Sequence, residues 1–545
     1  MYVLSAAEMQ ACDRLTTERF GIPSTDLMLA ASAAVAAFAR QHFPQAKRIT
    51  VLCGRGNNGG DGMMAARQLA ACGFEVTTLL LGAPDGLKGD AAQAWQELTS
   101  SAHGLVHIIE AAEDLTQHES ALEADLILDA VVGTGFKPPL KGLPLAALAW
   151  LKAGKAPILA VDLPSGWPAD QTSAAVATPV FPADAVITFT APKPAHVFGQ
   201  LTRHWSQPVV VAPIGSPDEA IVSSLNLTWA GSSLALAQAP RTATANKGNF
   251  GHVLVVGGSL GKSGAPSMTS LAAMRAGAGL VTAAVPEPIL GLVAYIAPEL
   301  MTWPLATSDA GSISEENLAP EFASALTSGK TVLAIGPGLG QSPTTAKFTM
   351  GLLSATKIPA VVDADALNIL AAQPSQLTKL SKNRTLVLTP HPGEMARLAS
   401  HTAAEVQDNR LEVARGFAQL NNVTVVLKGA RTLIAHPDGR VAVNTTGNPA
   451  MAKGGSGDLL TGLIAGLLAQ YPNEPAKAVE AAVYLHGMAG DLAVRAADEH
   501  TLLATDTLDH LSQAFRFRSC GLTNYLWIQG LPAKPRSADI SHEEA

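Results

Sequence analysis

The chain has 545 residues, of which 48% are hydrophobic and 15% charged, a balance that supplies sizeable apolar cores and excludes extended disorder. The net charge of −8, with no dense lysine or arginine run, argues against a nucleic-acid partner or a polybasic membrane contact. Neither a basic leader nor an 18-residue apolar run occurs, and the four cysteines show no CxxC spacing, so we expect a cytoplasmic protein that acts on small molecules.

Short apolar runs bounded by turn residues predict buried parallel strands in the first half of the chain. They cover residues 49–54, 125–131, 157–162, 185–189 and 208–212. Longer stretches with helical spacing lie between them, and Ser5 with Glu8 forms a potential capping box for a helix before the first strand. This alternation predicts an α/β domain with a Rossmann-like, doubly wound sheet.

A second α/β series follows the first. Its apolar runs cover residues 252–257, 279–285, 331–336, 359–363, 385–389 and 423–428. Between the series, residues 213–245 are rich in proline and serine with weak periodicity, which predicts a linker. We therefore expect two domains, at 1–225 and 226–515. The polar residues 516–545 are predicted to form an irregular tail.

Glycines, amides and carboxylates follow three predicted strands of the first half. The first strand runs into GRGNNGGDG (54–62), in which five glycines and two asparagines precede a predicted helix. The next two strands end at Asp129 and Asp162. In open α/β sheets ligands bind beyond such strand ends, so the three loops predict one binding crevice. For each motif alone, a plain glycine-rich turn or a turn-capping aspartate is the alternative.

The strings NNGGDG (57–62), DAVVGTGF (129–136) and VDLPSG (161–166) resemble the NAD(P)H-hydrate epimerase domain across most of residues 1–220. The resemblance implies that Asp162 is the catalytic acid/base and that Asn58, Asp129 and Ser165 hold a potassium ion. Oxygen ligands suit such a hard cation. The implied substrate contacts are Asn57, Asn58, Gly59, Gly60, Asp61, Gly133, Thr134, Gly135, Phe136, Lys137, Pro138, Pro139 and Asp162.

In the second half, the segment NTTGNPAMAKGGSGD (444–458) places small residues before a predicted helix. Apolar residues then recur at helical spacing, at Leu460, Leu463, Ile464, Leu467 and Leu468. Gly454 to Gly457 should therefore turn at a helix N-terminus, where free N–H groups favour phosphate. Asp458 can there accept a proton from a hydroxyl that faces the same phosphate. An ordinary turn with Asp458 as a helix-start residue is the alternative.

Several strings resemble the NAD(P)H-hydrate dehydratase domain, a relative of ribokinase-like kinases, almost continuously from 246 to 500. Besides segment 444–458 they are NKGNFGHVLVVGGSLGKSGAP (246–266), IGPGLG (335–340), VDADALN (362–368), LTPHPGEMARL (388–398) and VVLKGART (425–432). The resemblance implies that Asp458 is catalytic and that Ala265, Gly338, His391 and Asp458 contact the substrate. Its implied nucleotide contacts are Lys428, Gly429, Ala430, Arg431, Thr432 and Gly457.

The chemistry of these residues agrees with the resemblance in part. Lys428 ends a predicted strand, where its ammonium could neutralise phosphate. His391, between two prolines, is rigidly placed as a hydrogen-bond donor or is a structural histidine. Asp363 and Asp365 are either outer contacts of Mg²⁺ or solvated turn carboxylates. Lys262 lies in GSLGKSG, which lacks the full spacing of a P-loop, so we reject that interpretation.

The two resemblances together imply a bifunctional metabolite-repair enzyme. The first half would interconvert the R and S epimers of hydrated NADH or NADPH with K⁺ at its site. The second would dehydrate the S form with Mg²⁺ and ADP, since the fused architecture resembles enzymes that use ADP rather than ATP, although no residue decides between the two nucleotides. The alternative is a ribokinase-like kinase for a small alcohol or vitamin precursor, with a noncatalytic dinucleotide-binding first half. We expect a homo-oligomer with small-molecule partners and neither nucleic acid nor membrane.

Overall fold

Two β-sheets organise the protein, each within its own unit of the chain. The computed structural model describes residues 1–101, 104–308, 311–517 and 525–532. The first unit comprises Met1–Leu225 with a strand near the C-terminus, and the second comprises Asn226–Phe517. Within the described ranges, no helix combines the length and apolar character needed to cross a membrane.

In the first unit strands alternate with helices, as the apolar runs predict. The strands are β1 (Arg48–Cys53), β2 (Glu75–Leu81), β3 (Leu105–Ile109), β4 (Leu126–Ala130), β5 (Ile158–Val161), β6 (Ala185–Phe189) and β7 (Val209–Ala212). The helices are α1 (Ala6–Glu18), α2 (Ser24–His42), α3 (Asn57–Ala71), α4 (Gly89–Thr99), α5 (Leu143–Leu151) and α6 (Pro194–Phe198). The predicted capping box of α1 is confirmed, since Ser5 and Glu8 each accept the other's backbone N–H.

These strands are parallel and lie in the order β7-β6-β5-β4-β1-β2-β3, which confirms the doubly wound sheet and its five predicted strands. The sequence does not predict β2 and β3. Thr77 and Thr78 interrupt the apolar run of β2, and β3 is an edge strand with Leu105 and Ile108 exposed. Because the chain changes direction across the sheet between β1 and β4, a crevice opens at their carboxyl ends.

The motif NNGGDG is helical rather than a loop before a helix. Helix α3 begins at Asn57, with Gly56 as its N-cap. A Cβ atom at Gly59 would lie 1.9 Å from the carbonyl oxygen of Gly54, and one at Gly62 would lie 2.4 Å from the Cβ of Ala130. The glycines therefore let the helix approach the strand ends closely. In a sequence, glycines required for close packing look the same as glycines of a flexible loop.

The second unit also alternates strands with helices. Its strands are β8 (Leu227–Trp229), β9 (His252–Val256), β10 (Leu280–Pro286), β11 (Met301–Leu305), β12 (Val332–Ile335), β13 (Ala360–Val362), β14 (Leu386–Leu388), β15 (Thr424–Leu427), β16 (Leu433–Ala435) and β17 (Val441–Val443). Its helices are α7 (Leu234–Ala237), α8 (Gly264–Arg275), α9 (Leu290–Ala294), α10 (Pro320–Thr327), α11 (Pro343–Ala355), α12 (Ala364–Ala371), α13 (Leu377–Leu380), α14 (Pro392–Ala399), α15 (Ala403–Asp408), α16 (Arg410–Asn421), α17 (Ser456–Gln470), α18 (Pro475–Val494), α19 (Ala504–Asp509) and α20 (Leu511–Arg516).

The second sheet has the order β11-β10-β9-β12-β13-β14-β15-β16-β17-β8. All six predicted strands of this half are confirmed, and β15 to β17 form an antiparallel meander at one side. The chain changes direction between β9 and β12, so a second crevice opens at their carboxyl ends. The loops after β12, β13, β14 and β15 lie at the same edge of the sheet.

Part of the predicted linker, residues 213–245, belongs to this second sheet. Strand β8 pairs in parallel with β17. The buried Trp229 donates its indole N–H to Thr445 Oγ1 at 2.8 Å, which lies 216 residues later. The linker prediction is wrong here because a three-residue strand gives no periodicity and its partner is distant in the sequence.

The predicted irregular tail, residues 516–545, contains a strand. β18 (Leu526–Gln529) pairs antiparallel with β7 at the edge of the first sheet. Tyr525 and Trp527 join the first unit's core, where the rings of Tyr525 and Phe38 lie 5.5 Å apart. The tail prediction is wrong at these positions because a four-residue apolar run is hidden in polar sequence. Its parts at 518–524 and 533–545, including Cys520, lie outside the described residues.

Helix α17 is buried along almost its whole length and packs on α8. A Cβ atom at Gly462 would lie 2.1 Å from the carbonyl oxygen of Thr269 and 2.8 Å from the Cβ of Ala272. Glycine therefore sets the distance between the two helices, and with it the height of the N-terminus of α17 above the sheet.

We predict that Gly462→Ala lowers the free energy of unfolding of the second unit by about 1–3 kcal/mol, because the added methyl group overpacks the α8–α17 contact. Gly416→Ala is the matched control, since Gly416 lies in α16 with open space around it. That substitution should raise stability by about 0.4–1 kcal/mol. Urea unfolding of the full chain measures both. Equal effects of the two substitutions would contradict the packing argument.

Candidate active sites

A cavity of about 1130 Å³ opens at the carboxyl ends of the first unit's strands. Drug-sized ligands occupy pockets of roughly 300–1,000 Å³, so this cavity has room for a larger molecule such as a dinucleotide. Predicted contacts that line it are Asn57, Asn58, Asp61, Gly133, Thr134, Gly135, Phe136 and Asp162. The other predicted contacts, Gly59, Gly60, Lys137, Pro138 and Pro139, are not among its lining residues. Gly59 and Gly60 are buried in packing contacts of α3.

Four donors hold the carboxylate of Asp162, which follows β5. The backbone N–H and hydroxyl of Thr134 donate to Oδ2 at 2.7 and 2.5 Å. The hydroxyl of Thr188 and the ammonium of Lys193 donate to Oδ1 at 2.8 and 3.1 Å. Each carboxylate oxygen thus accepts two hydrogen bonds, which fills its lone-pair sites.

The buried ion pair with Lys193 determines the charge of Asp162. Burial opposes ionisation, but Lys193 and the threonine hydroxyls together hold the pKa of Asp162 well below its usual range. Lys193 itself is only 2% exposed and also donates to Thr188 Oγ1 at 2.8 Å. Asp162 is therefore a stable anion at the wall of the cavity.

His196 fixes the backbone at the same point. Its Nδ1 accepts the N–H of Lys193 at 3.0 Å, so its Nε2 donates to the carbonyl oxygen of Asp162 at 2.7 Å. Burial lowers the pKa of His196 to about 4, with Lys193 adding to the effect, and the ring is neutral. This contact holds Asp162 at φ 66°, a left-handed conformation that costs about 1–3 kcal/mol in a non-glycine residue.

Two of the three predicted potassium ligands, Asp129 and Ser165, are in direct contact beside Val132, and the side chain of Asn58 lies next to Gly133 in the same loop. The Ser165 hydroxyl donates to Asp129 Oδ1 at 2.5 Å, and the Ser165 N–H donates to Oδ2 at 2.8 Å. Burial raises the pKa of Asp129 to about 6, although the hydrogen bonds from Ser165 oppose this rise. Both polar atoms of the Asn58 side chain are buried without a hydrogen-bond partner in the described part of the chain. A cation beside Asn58 would supply the missing interaction.

In the second unit Asp458 lies in the first turn of α17, after Gly455 at φ 97°. The predicted turn and helix start are confirmed. Burial raises the pKa of Asp458 to about 6, Asp363 adds to the rise, and Lys428 opposes it. A carboxylate with a pKa near neutrality is suited to take up and release a proton.

Lys428 forms a buried ion pair beneath this helix start. Its ammonium donates to Asp363 Oδ1 at 2.8 Å and lies 3.8 Å from Glu394 Oε2. The hydroxyl of Thr461 on α17 donates to the other oxygen of Asp363 at 2.8 Å. Burial alone would lower the pKa of Lys428, but the charges of Asp363 and Glu394 outweigh burial and raise this pKa above its usual value. The ammonium therefore stays charged. A Cβ atom at Gly457 would lie 3.5 Å from this ammonium.

His391 is the N-cap of α14, and its ring orientation is defined. Its Nδ1 accepts the N–H groups of Gly393 and Glu394 at 3.0 and 3.4 Å. The backbone N–H of His391 in turn donates to Glu394 at 2.8 Å. Because Nδ1 accepts, Nε2 carries the proton in the neutral ring and is available to donate, as predicted for a substrate contact.

The loop after β12 lies against the start of α8. Gly338, at φ 64°, would place a Cβ atom 3.1 Å from that of Ala265. Thr269 links this corner to the Asp458 turn, since its hydroxyl lies 3.0 Å from the Ala265 carbonyl oxygen and 3.1 Å from that of Asp458. The structure therefore brings Ala265, Gly338 and Asp458 to one corner of the second crevice.

The carboxylate of Asp365 accepts hydrogen bonds from the loop after β12. It accepts the N–H of Gly340 at 2.8 Å and the side-chain amide of Gln341 at 2.7 Å. Asp365 therefore anchors the loop that contains Gly338. Lys262 lies 3.7 Å from Asp365, at the edge of the same loop.

The predicted nucleotide contacts 429–432 form the turn between β15 and β16. Gly429 and Ala430 are exposed there, and the Thr432 hydroxyl donates to the Gly429 carbonyl oxygen at 2.9 Å. Arg431 donates to the carbonyl oxygen of Thr445 at 3.2 Å, so it ties this turn to the segment that leads into α17. The turn follows directly after Lys428 in the chain.

Sequence reasoning did not identify Lys193, Glu394 or Asp13 as site residues. Lys193 follows the end of β6, and its position after a strand could have indicated it. Glu394 lies within a quoted motif, but its contact with Lys428 requires the fold. Asp13 lies on α1 before the first strand and lines the cavity, and no local pattern indicates that position.

Comparisons with known proteins match both units. Residues 24–195 match the family model described as YjeF-related protein N-terminus, and residues 253–514 match the model described as NAD(P)H-hydrate dehydratase. The bifunctional NAD(P)H-hydrate repair enzyme of Moorella thermoacetica is 42% identical over 95% of this chain and 97% of its own length. Its counterpart in Escherichia coli is 35% identical over 93% of each chain.

Among solved structures, the ADP/ATP-dependent NAD(P)H-hydrate dehydratase of Bacillus subtilis, crystallised with ATP and Mg²⁺, is 34% identical with a TM-score of 0.44. It covers 52% of this chain and 96% of its own. The curated relatives, in contrast, extend over both units. The chain therefore belongs to the family of bifunctional NAD(P)H-hydrate repair enzymes.

Proposed function

We propose that the first unit epimerises the R and S forms of hydrated NADH and NADPH, and that the second dehydrates the S form to NAD(P)H at the expense of ADP. One observation carries this function. Each unit has its own strand-end crevice with an aspartate–lysine ion pair, the buried pair Asp162–Lys193 in the first and the partly buried pair Asp363–Lys428 in the second. Two complete sites in one chain support two separate reactions on one damaged metabolite.

In the epimerase site the hydrated ring carbon carries both a hydroxyl group and the ring nitrogen. Opening the carbon–nitrogen bond and reclosing it on the other face interchanges the two epimers. Asp162 is the acceptor of the hydroxyl proton, because its ionised carboxylate lies at the cavity wall, where the substrate hydroxyl would replace one of its present donors such as the Thr134 hydroxyl. The N-terminal turns of α3 and the loop 133–136 surround the same cavity and contact the substrate.

The residues predicted to hold potassium fit that ion. Asn58 offers a buried amide oxygen without a partner, Ser165 a hydroxyl, and Asp129 a fully buried carboxylate. Such oxygen donors suit a hard cation. Bound potassium would supply a positive charge near the phosphates of the substrate and keep Asp129 ionised.

In the dehydratase site Asp458 removes the proton of the substrate hydroxyl, and the oxygen attacks the terminal phosphoryl group of ADP, from which AMP leaves. Phosphate then leaves the ring carbon and a proton leaves the adjacent ring carbon, which restores the double bond of the nicotinamide ring, since phosphate is a much better leaving group than hydroxide. Lys428 and the N–H groups at the start of α17 stabilise the phosphoryl charge. His391 donates a hydrogen bond to the substrate through Nε2.

Mg²⁺ bound with the nucleotide would neutralise the charge of its phosphates. Asp363 is engaged by Lys428 and Thr461, and Asp365 by Gly340 and Gln341. These partners leave the two carboxylates as outer contacts of Mg²⁺ at most. The rival function, a small-alcohol kinase with a noncatalytic first unit, does not account for relatives that match both units.

The central experiment gives purified protein each epimer of hydrated NADH, with ADP, ATP or no nucleotide, and follows both epimers and NADH by chromatography. Asp458→Asn should lower dehydration about 10²–10⁴-fold, because it removes the base. Asp162→Asn should stop epimerisation and leave dehydration of the S epimer unchanged. A stable phosphorylated product in place of NADH would support the rival kinase function.

We predict a pH dependence for dehydration that follows the carboxyl group of Asp458. The base acts only when ionised, and its pKa is raised to about 6, so the rate at saturating ADP should fall as pH decreases through about 6. Lys428→Met should move this limb to higher pH, because Lys428 lowers the pKa of Asp458. Asp162→Asn is the control and should leave the limb in place. A rate that is constant between pH 5 and pH 8 would contradict the assignment.

We predict that potassium raises the epimerase rate and that a bulky organic cation at the same ionic strength does not. Burial disfavours the charge of Asp129, and without a cation an uncompensated carboxylate there would repel the phosphates of the substrate. Asp129→Asn should abolish the response to potassium, whereas Asp26→Asn, on helix α2, should keep it. Equal rates in potassium, sodium and the organic cation would leave Asp129 as a structural group.

The finer assignments to cell compartment and assembly stay predictions. We propose a cytoplasmic enzyme that forms a homo-oligomer, and light scattering of the purified full chain measures the assembly. A mass equal to one chain across the micromolar range would overturn the oligomer proposal.

A further inference from the structure

The carboxyl group of Asp13 faces the epimerase cavity with one oxygen unpaired. Asp13 lies on α1 and lines the cavity together with Asp162 and Lys193. Its Oδ1 is buried and has no hydrogen-bond partner within the described ranges. A buried polar atom without a partner costs about 1–3 kcal/mol, so its retention beside a ligand cavity indicates that this carboxyl group has a functional rather than a structural role.

The fold fixes Asp13 at this position. The backbone N–H of Leu4, just before α1, donates to the carbonyl oxygen of Pro192 at 3.0 Å, and Pro192 directly precedes Lys193. The capping box of Ser5 and Glu8 then sets the start of the helix. An apolar cluster holds the helix against the same segment and consists of Leu4, Met9, Cys12, Ala191 and Ala220. The helix that carries Asp13 is therefore attached to the segment that carries Lys193.

Asp13 and Asp162 differ in how they are held. Asp162 accepts four hydrogen bonds and is a stable anion, so it has no proton to give. Burial raises the pKa of Asp13, Asp162 adds to the rise, and Lys193 opposes it. The environments of the two carboxyl groups thus shift their pKa values in opposite directions, an arrangement typical of an acid and a base in one active site.

Ring opening needs two proton transfers at different atoms. The hydroxyl oxygen loses its proton and forms the carbonyl double bond, while the carbon–nitrogen bond breaks and its electron pair goes to the ring nitrogen. The nitrogen must then gain a proton, and reclosure reverses both transfers. No oxidant or reductant is involved, and the substrate has the same atoms before and after.

We propose that Asp13 is a second catalytic residue of the epimerase site, which gives a proton to the ring nitrogen as the carbon–nitrogen bond breaks and takes it back on reclosure. Asp162 accepts and returns the hydroxyl proton. Lys193 lies with both carboxyl groups at the cavity and balances the charge of the pair. This inference rests on the proposed epimerase function of the first unit.

The test compares the full chain with Asp13→Asn, Asp13→Glu and Glu18→Gln. Glu18 is exposed on the same helix, so Glu18→Gln is the matched control that also removes one carboxylate. Chromatography of the R epimer measures kcat and KM for epimerisation, and dehydration of the S epimer reports the intact second site. Asp13→Asn should lower kcat about 10²–10⁴-fold with KM changed only a few-fold. Asp13→Glu, which keeps an acid, should recover at least part of the loss, and Glu18→Gln should behave as wild type.

The outcomes separate this inference from the function on which it rests. A wild-type chain that does not epimerise would overturn the epimerase function itself. A wild-type chain that epimerises, with Asp13→Asn within a few-fold of its kcat, would overturn only the role of Asp13. A rise in KM alone, or equal losses in Asp13→Asn and Asp13→Glu, would also overturn it, because a positioning or structural carboxylate would give those results.

Discussion

A buried lysine paired with a strand-end aspartate organises each unit of this protein. Separating such a pair leaves an uncompensated charge in the interior, which typically costs about 3–5 kcal/mol. In the first unit the pair joins the loop after β5 to the segment after β6, through Asp162 and Lys193. In the second unit Lys428 joins the ends of β13 and β15, and Thr461 extends the contact to α17. The crevices depend on these contacts because they hold neighbouring strand-end loops in place.

The two units use this interaction in opposite ways. In the first, the paired aspartate is itself the candidate catalytic group, and the lysine lowers its pKa. In the second, Asp363 takes up the charge of Lys428, and Asp458 remains outside the ion pair with a pKa raised to about 6. One electrostatic element thus produces a persistent anion in one crevice and a readily protonated carboxylate in the other.

The sequence predicts those parts of the fold that depend on local patterns. Short apolar runs locate the strand that contains Asp129 and the strands that precede Asp162, Asp363 and Lys428, and parallel topology then brings their ends together. It does not predict β8 or β18, which are short and whose partners are distant in the chain. Asp13 and Lys193 were missed for the same reason, since their proximity depends on contacts such as Leu4 with Pro192. The glycines of NNGGDG were misinterpreted because close packing and flexibility both select glycine.

The final strand has a consequence for how the chain is assembled. β18 completes the edge of the first sheet beside β7, although the whole second unit lies between them in the sequence. Along the chain, the second unit is therefore inserted into the first unit. During synthesis the first sheet receives its last strand only after the second unit has been made, and until then the edge of β7 offers unpaired backbone groups. A gene fragment that ends after Leu225, where the second unit begins, would therefore encode an epimerase unit without β18.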